Sequence, residues 1–364
     1  MQVRLGDYVL IKTGKLDANI ASENGRFPFF TCGVEPLKID KYSYDCECVL
    51  VAGNGDLNVK YYYGKFDAYQ RTYIIESKNK NLLSVKYLYF FLDNYLDTLR
   101  NEAIGGVIKY IKLSNLSEVK IKLLDLEKQL EIVNILEKIN LLISLRKNQL
   151  KKLDELVKSR FIEMFGDVIH NSKKWQNCLF SEITSSRLGK MLDAKQQTGR
   201  NSYPYLANFN VQWFRFNLKN LNKMDFDEKE RSEFELCEGD LLVCEGGEIG
   251  RCAVWHNELQ PCFFQKALHR VRCNREIILP DYLSWWFRYN CDYGGFAALA
   301  GSKATIAHLP GTKLKQLQVV VPPVELQEQF VAFVEQTDKS KLEIQKSLDK
   351  LEILKKSLMQ QYFG

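Results

Sequence analysis

From Glu127 to about Met164 the chain contains no proline or glycine, and its apolar residues recur at alternating steps of four and three. The series reads Ile132, Leu136, Ile139, Ile143, then Leu150, Leu153, Val157 and Met164, interrupted only at Arg146 and Arg160. A spacing that averages 3.5 residues puts every member on one stripe, so the pattern predicts a heptad seam sustained for about five repeats. At 1.5 Å per residue such a helix is roughly 55 Å long, about three times an average globular helix. A second stretch repeats the spacing with Phe330, Val334, Thr337, Lys341, Ile344, Leu348, Leu351, Lys355, Leu358 and Tyr362, and its seam turns polar around Thr337 and Lys341. One helix with one apolar stripe cannot bury that stripe alone. Because both stripes lie in one chain, with a connecting segment long enough for an antiparallel return, the expected partner of each helix is the other. A generic homodimeric coiled coil is the competing expectation.

The two helices are also copies. "KKLDELVKSRFIEMFG" at 151–166 and "DKLEILKKSLMQQYFG" at 349–364 align without a gap at an offset of 198 residues. Extended backwards, the alignment holds 12 identities in 40 positions, among them Glu127 with Glu325, Gln129 with Gln327, and Phe165-Gly166 with Phe363-Gly364. That order is too regular for two unrelated amphipathic helices and marks an internal duplication.

A module of short strand-like runs bounded by glycine turns precedes each helix. The first holds "CECVLVAG", "KYYYGKF" and "RTYII"; the second holds "GDLLVCEGGEIGRCAVW" and "HRVRC". A short aromatic helix follows in each ("SVKYLYFFLDNYL", "PDYLSWWFRYN"), then a glycine element ("AIGGVIKYI", "AGSKATIAHL") and an apolar strand ("VKIKLL", "LQVVVPP"). The frame is alike in both halves while the modules diverge, which suggests two readers on one ruler. Tyr61-Tyr62-Tyr63 is expected to alternate in burial along a strand, and Trp285-Trp286 to belong to a core.

Bulk properties narrow the class. A chain of 364 residues, 46% hydrophobic and 26% charged, has material for two or three ordinary globular domains. Without a long apolar run or a secretory leader, the ten cysteines are expected to be free thiols in a reducing cytoplasm. Cys46-x-Cys48 and the scattered His170, His256, His269 and His308 lack metal-ligand spacing, so no metal site is expected. The net charge of +6 divides into zero over 1–104, +5 over 105–174, −1 over 175–302 and +2 over 303–364. No segment carries the basic footprint of a protein that grips a phosphate backbone unaided.

With these features in place, the chain resembles the DNA-specificity (S) subunits of bacterial type I restriction-modification systems. The residues that carry the resemblance are the opening "VRLGD" with its loose repeat "CLFSEI", the "AYQRTYII" strand and the "GDLLVCEGGEIGRCAV" turn. "GSKATIAHL", "VVVPPVELQEQFVAFVEQ" and both helix ends closing on "FG" complete the ordered set. The first helix opens on "LLDLEKQLEIV", without the proline pair found at Pro322-Pro323. The resemblance implies an α+β protein with two β-rich target-recognition domains in a pseudo-twofold arrangement, separated by two long antiparallel helices forming an intramolecular coiled coil. The boundaries expected are 1–125 for the first recognition domain, 126–166 for the central spacer helix, 167–324 for the second domain and 325–364 for the closing helix. It further implies that each domain reads half of a bipartite asymmetric site in double-stranded DNA. Two methyltransferase subunits would dock on the helices, with restriction subunits held through them and no membrane involved. The seam residues Ile132, Leu136, Ile139, Ile143, Leu150, Leu153, Val157, Phe330, Val334, Ile344, Leu348, Leu351 and Leu358 are the expected coiled-coil and docking set.

Arginine or lysine reads guanine edges and glutamine or asparagine reads adenine. A local alignment lays "AYQRTY" over "FFQKAL", pairing Gln70 with Gln265 and Arg71 with Lys266, each set after an aromatic, Tyr69 or Phe264. These are candidate base readers; the competing reading is an exposed strand with ordinary polar residues. Arg251, after the turn "GGEIG", is a further candidate, with Lys60 and Lys65 beside the tyrosine run. Lys15, Arg187, Lys190, Lys109 and Lys303 sit in early loops and glycine elements suited to phosphate contact. "AGNGDLN" lacks the spacing of a nucleotide loop, and no methylase tetrapeptide or nuclease cluster is present. The chain is therefore expected to be non-catalytic and to hold no cofactor, with S-adenosylmethionine and ATP with magnesium expected on partner subunits. The rival function is a duplicated coiled-coil adaptor whose modules bind proteins.

Overall fold

Both seams fold as helices of 40 residues, Leu126–Phe165 and Val324–Phe363, in a computed structural model that describes residues 1–193, 197–296 and 308–364. Each helix places a glutamate in its first turn, Glu127 or Glu325, where the helix dipole favours negative charge. The first helix stops at Gly166, whose left-handed φ of 75° turns the chain while its amide donates to the carbonyl of Ile162 at 2.8 Å. The chain forms two compact units, Met1–Gln149 with Ile344–Gly364, and Leu150–Glu343. Each unit thus takes the opening of one long helix and the closing part of the other.

Within each unit the helix segments pair antiparallel. In the first, Ile132, Val133 and Leu136 share a core with Met359, and Leu358, Tyr362 and Phe363 pack against it. Further along, Lys147 meets Glu352 at 2.9 Å, so residue numbers fall on one helix as they rise on the other. In the second, Asp154 meets Lys341 at 2.8 Å while the rings of Phe161 and Phe330 lie 5.4 Å apart. The seam matches the spacing read from the sequence. Ile132, Leu136, Ile139, Val157, Phe330 and Leu348 are buried, and Ile143, Leu150, Leu153, Val334, Ile344, Leu351 and Leu358 are half-buried. The polar seam positions are accommodated locally. The Thr337 hydroxyl donates to the carbonyl of Phe333 at 2.8 Å, and Lys341 pairs with Asp154 on the facing helix and with Asp338 on its own.

The first unit contains strands β1 (Gln2–Arg4), β2 (Val9–Thr13), β3 (Phe27–Phe30), β4 (Leu37–Ile39), β5 (Tyr44–Ala52), β6 (Val59–Ala68), β7 (Thr72–Ser77) and β8 (Lys120–Lys122). Six of them form one sheet in the order β2-β7-β5-β6-β3-β4, antiparallel except for β3 beside β6. Along β6 successive tyrosines point to opposite faces, as a period of two demands. Tyr61 packs toward the core under the aromatic helix and donates its hydroxyl to Glu47 at 2.9 Å. Tyr62 packs with Phe30 and Phe66 on the other face, and Tyr63 is exposed.

The second unit repeats the plan with β9 (Gln176–Leu179), β10 (Thr184–Leu188), β11 (Ser202–Leu206), β12 (Val211–Gln212), β13 (Arg215–Phe216), β14 (Asn222–Asp225), β15 (Leu241–Cys244), β16 (Cys252–Val254), β17 (Phe263–Phe264), β18 (Leu268–Cys273) and β19 (Gln318–Val321). Its sheets run β10-β18-β15-β16 and β14-β11-β17, with β11 parallel to β17. The continuous strand β6 of the first unit corresponds to the separate pieces β16 and β17. The residues between them include Pro261, which has no amide to give to a ladder.

A shared frame ties each module to its helix. The buried Gln129 accepts from the Ser84 amide at 2.9 Å and donates to the carbonyls of Leu82 and Leu124 at 2.8 and 2.7 Å. Gln327, also buried, accepts from the Leu279 amide at 2.9 Å and donates to the carbonyls of Ile277 and Pro322 at 3.0 and 2.8 Å. Ser84 and Leu279 are the N-caps of the aromatic helices Val85–Asn94 and Pro280–Asp292, whose unpaired first amides need such an acceptor. Tyr87 and Tyr282 on those helices donate to the carbonyls of Lys122 and Val320 at 2.9 and 2.8 Å. They also receive the closing phenylalanines, Phe363 on Tyr87 at 5.2 Å and Phe165 on Tyr282 at 4.8 Å. Trp285 and Trp286 are core residues of the second unit.

Candidate nucleic-acid interface

In the first unit four loops meet beside the sheet. Gly14 to Leu16 follows β2, Gly53 to Gly55 follows β5, Tyr69 to Arg71 joins β6 to β7, and Lys109 to Ile111 closes the glycine element. Backbone hydrogen bonds lace them together. Gln70 donates to Leu16 at 2.9 Å, Gly53 to Arg71 at 2.8 Å, Gly55 to Lys109 at 2.9 Å and Ile111 to Gly53 at 2.9 Å. The glycines are required by the closeness of this packing: a Cβ on Gly14 would lie 2.1 Å from the Ala68 carbonyl oxygen, and one on Gly53 2.4 Å from that of Arg71. Lys15, Gln70, Arg71 and Lys109 are all exposed. Among the described residues, none of the four makes a side-chain hydrogen bond or ion pair. Residues picked separately along the chain therefore converge on one laced cluster.

The second unit builds the same cluster. Lys266 donates to Lys190 at 2.8 Å, Glu245 to Ala267 at 2.9 Å and Leu309 to Glu245 at 2.7 Å. A Cβ on Gly189 would lie 2.3 Å from the carbonyl of Gln265, as one on Gly14 would lie 2.4 Å from the carbonyl oxygen of Tyr69. These bonds correct the pairing expected from the sequence. The parallel pairs Phe30 with Ala68 and Leu206 with Phe264 set an offset of 196, and the loop bonds keep it. Tyr69 therefore corresponds to Gln265, Gln70 to Lys266 and Arg71 to Ala267. The sequence alignment is one residue out of register here, because equal spacing of similar letters ignores the loop bonds. Ala267 is held at a left-handed φ of 82°.

The remaining candidates divide by what their side chains touch. Lys266 is exposed and Gln265 half-buried, and Lys266 has no side-chain hydrogen bond or ion pair among the described residues. Lys190 turns inward, with its ammonium donating to the Asp225 carbonyl at 2.8 Å, paired with Glu230 and lying over the Phe226 ring. Arg251 is half-buried and donates to the carbonyl and side-chain oxygens of Asn208 at 3.1 and 2.6 Å. Arg187 is paired with Glu233 and lies over the Phe234 ring. Lys60 is half-buried on β6, donates to the Asn58 side chain, and has its pKa lowered by burial. Lys65 is exposed over the Tyr42 ring at 4.8 Å, and Tyr69 is half-buried. Lys303 lies outside the described residues, as does most of "GSKATIAHL". Among the described residues, three cations without a side-chain partner, Lys15, Arg71 and Lys109, border the first cluster.

Sequence reasoning missed the residues that anchor the carbonyls of Ile111 and Leu309. The Tyr73 hydroxyl donates to the Ile111 carbonyl at 3.1 Å, and at the equivalent position the His269 Nε2–H donates to the Leu309 carbonyl at 3.2 Å. His269 is buried, and burial lowers its pKa, so it works as the neutral imidazole. The only signal for this pair was the offset of 196, which becomes visible once the loops are paired. No cluster of three or more potential metal ligands occurs among the described residues, and none of the described helices is long and apolar enough to cross a membrane.

Known proteins match this chain along nearly its whole length. The family model for the type I restriction modification DNA specificity domain matches residues 1–155 and 172–354. The specificity subunit of the type I restriction enzyme EcoDI from Escherichia coli is 25% identical over 368 residues, taking in 92% of this chain and 80% of that protein. The crystal structure of an S subunit of a type I restriction-modification system from M. genitalium aligns with a TM-score of 0.66 at 16% identity, covering 100% of this chain and 96% of that one. A chain solved in work on complex assembly and conformational transition of the type I R-M system aligns with a TM-score of 0.62 at 15% identity, covering 100% and 97%. At these identities the solved structures speak to the fold alone.

Proposed function

The chain belongs to the type I restriction modification DNA specificity domain family, and on that premise we propose that its two modules each read one half of a bipartite, asymmetric DNA site. The observation that carries this reading is the duplicated loop cluster, which presents exposed, unpartnered side chains of the types that read bases: Gln70 and Arg71 in one module, Lys266 in the other. Lys15 and Lys109 border the first cluster where a phosphate contact sets register without reading sequence. The modules are close to neutral, so the rest of the phosphate grip comes from partners. Two methyltransferase subunits dock along the long helices and hold the restriction subunits in turn. Each helix of 40 residues rises about 60 Å, against ~34 Å per turn of B-DNA, and its length sets the number of unread base pairs between half-sites. S-adenosylmethionine and ATP with magnesium belong to those partners in the cytoplasm, and this chain supplies specificity without chemistry.

The test is to map methylated adenines in DNA from cells with and without this gene. A bipartite asymmetric motif that is methylated only when the gene is present is the expected result; an unchanged methylation pattern overturns the reading. Within that motif, Arg71→Ala is expected to relax one half-site and spare the other, whereas equal loss at both halves contradicts the division of labour.

A further inference from the structure

We propose that Gln70 and Lys266 are equivalent base readers, and that the two half-sites consequently carry an adenine and a guanine at the corresponding position. This deepens the DNA-reading function above and rests on it. The offset of 196 makes the two residues occupants of one position in the duplicated cluster. In both, the backbone amide is fixed to the carbonyl of the preceding glycine loop, Gln70 to Leu16 at 2.9 Å and Lys266 to Lys190 at 2.8 Å. In both, the next turn is closed by a backbone bond, Thr72 to Tyr69 at 2.8 Å and Leu268 to Gln265 at 3.2 Å. These bonds fix the backbone from which each side chain reaches, so both readers start from the same place in the duplicated cluster.

The neighbouring positions do not qualify as an equivalent pair. Tyr69 and Gln265 are half-buried against the sheet, and Arg71 corresponds to Ala267, which has no group to offer a base. The cations of the second module that flank its cluster, Lys190, Arg187 and Arg251, are committed to Glu230, Glu233 and Asn208. Among the described residues, the Lys266 ammonium has no partner. A glutamine amide matches the N6 donor and N7 acceptor of adenine, whereas an ammonium matches the O6 and N7 acceptors of guanine. The same backbone position therefore asks for a different base in each half-site.

The experiment uses the full chain assembled with its methyltransferase subunits, acting on duplex pools in which both half-sites are randomised, with methylated products sequenced. Gln70→Lys is expected to change one position of one half-site from adenine to guanine, and Lys266→Gln to make the reverse change in the other. Each swap is expected to move the preference roughly five- to hundredfold, the discrimination of one good base contact. Both side chains are exposed and unpaired, so the melting temperatures of the variants should match that of the parent, which removes misfolding as a cause. Variants that keep the parental motif at every position, or that change both half-sites together, overturn the assignment while leaving bipartite recognition intact. A parent complex that selects no bipartite motif fails at the prior step and removes the assignment with it.

Discussion

Replacing Gln327 with leucine removes a side chain that is 0% exposed and makes three hydrogen bonds. Leucine has similar bulk and no polar atoms, so the change strands one half-buried amide, that of Leu279, and two carbonyls, those of Ile277 and Pro322. Leaving a buried polar group unpaired costs about 1–3 kcal/mol each, and carbonyls find substitute partners more readily than amides. The expected loss is therefore about 3–5 kcal/mol. With a urea dependence of about 2 kcal/mol per molar, the midpoint should fall by roughly 1.5–2.5 M. All five tryptophans (Trp175, Trp213, Trp255, Trp285 and Trp286) lie within Leu150–Glu343, so tryptophan emission reports this unit alone. Gln129→Leu makes the same change in the other unit, and it should shift the circular dichroism transition while leaving the tryptophan transition in place. A Gln327→Leu midpoint within about 0.3 M of the parent, or a Gln129→Leu variant that moves tryptophan emission as far, refutes the reasoning.

Three further outcomes are expected. Because burial lowers the folded pKa of His269 below its unfolded value near 6.5, the unfolded chain binds the proton more readily, and stability that is full above that value is lost as pH falls through it. Tryptophan-monitored midpoints should drop from pH 7 to pH 5, and His269→Tyr, which installs the hydroxyl that Tyr73 uses, should flatten that drop; an equal drop in the variant rejects the assignment. Phe363→Ala removes a half-buried ring that packs on Tyr87 and Phe91 at 5.2 and 6.2 Å, and should cost the first unit about 2 kcal/mol by circular dichroism, with tryptophan emission unmoved. Inserting one heptad into a long helix should alter the spacer of the methylated motif or abolish methylation; a change in half-site sequence instead contradicts the role given to the helices.

The long helices were legible because burial and spacing report the same thing: each seam position from Ile132 to Val157, Arg146 included, is buried or half-buried. The seam reading placed Arg160 on the stripe, whereas the fully buried ring is that of Phe161, one residue on. Lys341 could not be placed from its letter, since its partner Asp154 comes from the other helix. The loop clusters were legible as residue types but not in register. "AYQRTY" and "FFQKAL" look aligned on glutamine, and the shift follows from the strand pairs before them and the bonds to Leu16 and Lys190. Lysine and arginine are mostly exposed, so Lys190 and Arg251 read as free charges from sequence. Their anchors, Glu230 and Asn208, lie about forty residues away and follow from the fold.

The first unit is discontinuous, since it needs Ile344–Gly364 to cover Tyr87 and Phe91, whereas Leu150–Glu343 is a single run of chain. Synthesis is therefore expected to reverse the usual N-to-C order of maturation. At 5–20 residues per second, the leading segment waits roughly 10–40 s on the ribosome for its last helical turns, while the later-made unit closes first. Released chains that end at Glu343 should accordingly be protease-sensitive within residues 1–149 and resistant within 150–343; resistance of the leading segment would show that it closes without its returning helix.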